Sequence, residues 1–117
     1  MKRILMAALV GGLVSGPGYA AEGTIRDLLA ATGNEHIVYQ INIGGIGNGF
    51  SWANTLLVGR GDKQLYCAPQ ELAITKDQYF SIFRQHAEEN PSMLDFPSSA
   101  RGIVLAYGLQ KTFPCPE

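Results

Sequence analysis

The chain is short of most of what would give its role away. Its N-terminal apolar stretch falls short of the ~20 residues a helix needs to cross a bilayer, and no later segment is long enough either. It has no excess of basic residues, with nine Lys and Arg against ten Asp and Glu. That balance leaves no electrostatic footprint for nucleic acid or an anionic membrane. Two cysteines and two histidines lie scattered, without the paired spacing of a metal site. No G-x-S-x-G elbow holds a nucleophile. The one glycine-rich stretch, Gly44-Gly45-Ile46-Gly47-Asn48-Gly49, has no following Gly-Lys-Ser/Thr. It also carries Phe50 where a dinucleotide fingerprint needs its third glycine, so it reads as close packing or a turn.

What is present begins with a leader. Lys2 and Arg3 precede the apolar run from Ile4 to Val14, and Gly18-Tyr19-Ala20 places small residues at a cleavage site. This is the layout of a secretory signal peptide over residues 1–20, cleaved after Ala20. Residues 21–117 then form one domain of 97 residues. Loss of the two leader charges takes the formal charge from −1 to −3. In an exported chain, Cys67 and Cys115 read as a disulfide.

The helix signals are uneven. Thr24 and Asp27 form a capping pattern ahead of the stripe Ile25, Leu28, Leu29, and Gly33-Asn34 ends that helix. From Ile37 to Ile43 apolar residues alternate, the pattern of a strand. The following glycines oppose a helix by about 1 kcal/mol each relative to alanine. Yet Ile37, Ile41, Gly45, Gly49 and Ala53 share one i, i+4 row on which two helices could approach closely. The residues alone lean to strand. Gly59 to Asp62 is a turn, and Leu65 to Pro69 a short extended lead-in.

Thr75 and Gln78 make a capping box for a helix whose core face is Tyr79, Ile82, Phe83 and His86. Pro91 stops it. Pro97 opens the last helix, with the stripe Ala100, Ile103, Val104 and Tyr107 and with Lys111 at its end. Two helices joined by a short loop run antiparallel, which returns Cys115 to Cys67. The tail therefore suggests a small helical unit in which one disulfide, Cys67 to Cys115, staples the last two helices.

No catalytic constellation emerges. His86 reads as a packed core histidine, His36 as a surface one, and Glu88-Glu89 as neighbours pointing different ways. A single tryptophan, Trp52, reads first as a core anchor; beside Phe50 it could alternatively line a protein interface. Between the last helices, Met93 and Leu94 sit on a loop with Glu88, Glu89 and Asp95. That composition suits a binding tip, with packing on its own domain as the plainer reading.

Several segments carry a family resemblance. Gly49-Phe50-Ser51-Trp52-Ala53-Asn54, Leu65-Tyr66-Cys67-Ala68-Pro69, Leu72-Ala73-Ile74-Thr75, Gln78-Tyr79, Asn90-Pro91 and Phe113-Pro114-Cys115 resemble the immunity proteins that protect bacteria from type VI secretion peptidoglycan amidases. The resemblance covers roughly residues 23–116 and implies a periplasmic, all-helical homodimer with no enzymatic activity and no cofactor. It implies helix from about His36 to Leu57, against the local pattern, and with it an all-α fold: a small four-helix-type bundle with one disulfide stapling the last two helices. It also implies that the partner is a cognate peptidoglycan amidase effector, whose cleft with its catalytic Cys and His is blocked. Some members carry a second cysteine pair; Thr32 and Val38 stand at about those places here.

On that reading, the contacting residues are Glu88, Glu89, Asn90, Ser92, Met93, Leu94 and Asp95. Met93 or Leu94 would enter an apolar slot, and the carboxylates would steer toward a basic rim. The alternative is a small disulfide-stapled periplasmic acid or stress chaperone. It ranks second because the chain lacks Lys-rich character and any Trp-x-Cys motif.

Overall fold

The computed structural model describes residues 23–117; the expected leader and its cleavage after Ala20 lie outside the described residues. Four α-helices follow one another: α1 Ile25–Ala30, α2 Gly33–Gly59, α3 Lys76–Glu89 and α4 Arg101–Thr112. Two 3-10 turns, Pro91–Asp95 and Ser98–Ala100, join α3 to α4. No strand occurs among the described residues, so the fold is all-α, as the family resemblance implies and against the local pattern of residues 37–43.

Both capping boxes form. Thr24 accepts from the Asp27 amide while the Asp27 carboxylate accepts from the Thr24 amide, and Thr75 and Gln78 do the same at the start of α3. Each supplies partners for helix-end amides that would otherwise have none.

The stretch from Ile37 to Ile43 is helical, not a strand. Ile37 and Ile41 face out, and Ile43 is fully buried. The reason is tertiary. α3 lies so close to α2 that side chains would not fit between them. A Cβ on Gly44 would stand 2.5 Å from Lys76 Cβ, and one on Gly47 would run into the Tyr79 ring. Glycine weakens the isolated helix but permits this contact, and packing outweighs propensity.

The core is made by Ile25 and Leu28 of α1, Ile43 of α2, Tyr79, Phe80, Phe83 and Ala87 of α3, and Val104, Leu105 and Leu109 of α4. The face of α4 is turned from the expected one. Ile103 and Tyr107 are half-exposed, whereas Leu105, Gly108 and Leu109 point inward with Val104. At Gly108, α4 presses on α3: a Cβ there would lie 3.0 Å from Ile82 and 3.1 Å from His86.

Cys67 and Cys115 are bonded, with Cα atoms 4.9 Å apart. The staple ties the lead-in before α3 to the end of α4. Cys67 also donates its amide to the Phe113 carbonyl at 2.8 Å. The lead-in is held to α2 by one buried side chain. Asn54 donates to the Tyr66 carbonyl at 2.9 Å and accepts from the Leu65 amide at 2.7 Å.

Two outcomes follow. Gly47→Ala should destabilise the fold by about 1–3 kcal/mol in urea denaturation, because overpacking outweighs the gain in helix propensity. Reducing the 49-residue loop's disulfide should lower stability by about 4 kcal/mol, read in the same titration with and without reductant.

Candidate functional site

The elbow between α3 and α4 gathers the residues proposed for partner contact. α3 ends at Glu89, and Asn90 caps it. The Asn90 amide nitrogen donates to the Ala87 carbonyl at 3.2 Å, and its side chain donates to the His86 carbonyl at 2.9 Å. Met93 then donates to Asn90 O at 2.8 Å and Phe96 to Met93 O at 3.1 Å, which winds the loop into its 3-10 turn. Pro91 at the start of that turn has no amide to leave unpaired.

α1 braces the elbow from outside. Ile25 donates to the Phe96 carbonyl at 2.9 Å, Ser98 to the Gly23 carbonyl at 3.1 Å, and Arg26 pairs with Asp95 at 2.9 Å. Arg101 continues the brace toward α2. It donates to Ser98 O and to Asn42 Oδ1, both at 2.8 Å, and its guanidinium lies over the Tyr39 ring. Backbone and side-chain bonds together hold the turn in one shape.

Within this frame the predicted residues divide. Glu88, Glu89, Ser92 and Asp95 are exposed. Glu88 lies 3.8 Å from Arg84, and Glu89 accepts from Gln85 at 3.1 Å. Such exposed pairs contribute little to stability, so their carboxylates can be redirected to a partner at small cost. Met93 and Leu94 are not the exposed tip that composition predicts. Both are half-buried and pack on the core, so the presented surface is mainly acidic and polar.

His86 is buried, as predicted, beside Tyr107 with ring centroids 6.4 Å apart. His36 is half-buried, with its ring set edge-on against Phe80. Desolvation lowers the His86 pKa from its ordinary 6.5; the positive charge of Lys111 adds to the effect, and Glu89 opposes it.

Sequence reasoning missed a second feature. A cleft of about 520 Å³ separates α2 from the lead-in, lined by uncharged amides and hydroxyls such as Asn48, Ser51, Thr55 and Gln70. Tyr66 and Tyr79 also line it, and both are buried. Burial, and then the neighbouring Tyr79, push the Tyr66 hydroxyl far above its usual range. The signal lay in Asn54, the one polar side chain buried on α2, but spacing alone does not mark it.

Trp52 is not a core anchor: 64% of it is exposed. Among the described residues no three His, Cys, Asp or Glu side chains come together in a metal-holding group, and no helix is long and apolar enough to cross a membrane. No protein-family model, curated protein or solved structure matches the chain.

His86 sets a pH dependence. The unfolded chain takes a proton near pH 6.5, and the folded one resists it. Stability is therefore full above pH 6.5 and falls as pH drops toward the lower folded-state value. Melting temperatures across this window should fall in the parent, and the fall should be shallower in His86→Gln.

Proposed function

We propose that this chain is a periplasmic immunity protein that binds and occludes the active site of a type VI secretion peptidoglycan amidase. The observation that carries the reading is the elbow: three exposed carboxylates, Glu88, Glu89 and Asp95, on a turn braced by α1 and capped by Asn90. A preformed turn loses little entropy on binding. Carboxylates around it would speed association with a basic cleft rim and reject acidic partners. Met93 and Leu94 then act chiefly by shaping the turn from beneath. The disulfide fits an oxidising compartment.

A second reading has one observation in its favour. The exposed apolar face of α2, with Trp52 and Leu56, is the kind of surface an acid-activated chaperone could use on unfolded clients. The two readings part on pH and on partner number.

The test is a pull-down with the purified protein from periplasmic and secreted fractions at neutral pH, read by mass spectrometry. The expected result is one stoichiometric cell-wall amidase whose activity is inhibited. Glu89→Lys with Asp95→Asn should then weaken binding about tenfold, mostly through slower association, with a smaller loss at high salt. Many weak clients, captured only after acid exposure, would replace this reading with the chaperone.

A further inference from the structure

Between Ile43 and Gly59, every amide and hydroxyl side chain of α2 lies on the cleft between that helix and the lead-in. These are Asn48, Ser51, Asn54 and Thr55, on an otherwise apolar stretch. Gln64 and Gln70 answer them from the lead-in. Among the described residues no charged side chain lines the cleft. Its volume, about 520 Å³, falls within the roughly 300–1,000 Å³ of small-molecule sites. Tyr66 and Tyr79, which also line it, are only 3% and 4% exposed. Among the described residues neither hydroxyl bonds a backbone group, and the one side chain to which either is coupled is the other tyrosine. Two hydroxyls so placed can use one O–H between them, which leaves at least one buried donor without an acceptor.

We propose that this cleft is a binding site for a neutral saccharide of one or two rings. Sugar hydroxyls donate and accept at once, and so do the amides and hydroxyls on its two walls. The leftover tyrosine donor supplies a bond to a sugar oxygen. Val58 on α2, with Pro69 and Leu72 on the lead-in, adds apolar surface for the C–H faces of a ring. The walls are set before any ligand arrives. Asn54 ties Leu65 and Tyr66 to α2, the disulfide holds Cys67, and Leu72 donates to the Pro69 carbonyl at 3.0 Å. Binding then has little left to order.

Other ligand classes meet obstacles here. A phosphate, carboxylate or ammonium group would lose hydration in this cleft with no opposite charge to compensate. An extended peptide adds to a sheet edge, and no strand occurs among the described residues; the backbone of the α2 wall is spent within the helix. The inference is independent of the toxin reading, because no elbow residue lines the cleft.

Titration of the purified protein, its disulfide formed, with maltose, cellobiose and N,N′-diacetylchitobiose tests it, read by amide NMR shifts. Expected are saturable shifts with at least one of these, centred on residues 48–58 and 64–74 and including the side-chain amides of Asn48, Gln64 and Gln70. Glucose 6-phosphate at the same concentrations should move nothing there. Ser51→Ala with Gln70→Ala, both at exposed positions, should keep the melting temperature yet weaken binding about tenfold, the loss of two hydrogen bonds. Tyr79→Phe keeps the ring against Gly47, removes one hydroxyl and should also weaken binding. No saturable shift with any of the three disaccharides overturns the proposal. So do shifts centred away from the cleft, an affinity unchanged in the double variant, or tighter binding of glucose 6-phosphate or of an uncharged capped tetra-alanine peptide.

Discussion

Everything in this structure follows from how closely α3 lies on α2. The contact is made at Gly44 and Gly47, where Lys76 and the Tyr79 ring take the volume that side chains would otherwise fill. It fixes which side of a nearly uncharged helix turns inward. It sets Tyr79 beside the lead-in, where it lines one cleft with Tyr66. It also decides by exclusion that Gly45, Gly49, Trp52 and Leu56 turn outward. Interiors pack like crystals, so such a contact admits one arrangement and few near it.

The lead-in between α2 and α3 has no regular structure to hold it, and two unlike devices replace one. Asn54 satisfies a carbonyl and an amide of Tyr66 and Leu65 with its two ends. The disulfide then ties the next residue, Cys67, to the far end of the chain. Local hydrogen bonds orient the segment, and the covalent link limits how far the unfolded chain can spread. A domain under 100 residues has a small core, so both contributions are large relative to its total.

The sequence was most legible where a signal is local. Thr24 with Asp27 and Thr75 with Gln78 announce helix starts that form as read. The cysteine pairing follows from antiparallel helices and needs no side-chain detail. What escaped was tertiary. The alternation from Ile37 to Ile43 is a real pattern with the wrong meaning, because nothing in it announces that Tyr79, more than thirty residues on, would use a glycine as a seat. The face of α4 was misread for a related reason. Gly108 counts as a gap in an apolar stripe but serves as the point of closest approach to His86 and Ile82. At the elbow, the types of Met93 and Leu94 were legible, but their half-buried state depends on α1 folding back through Ile25 and Arg26, which loop composition does not encode.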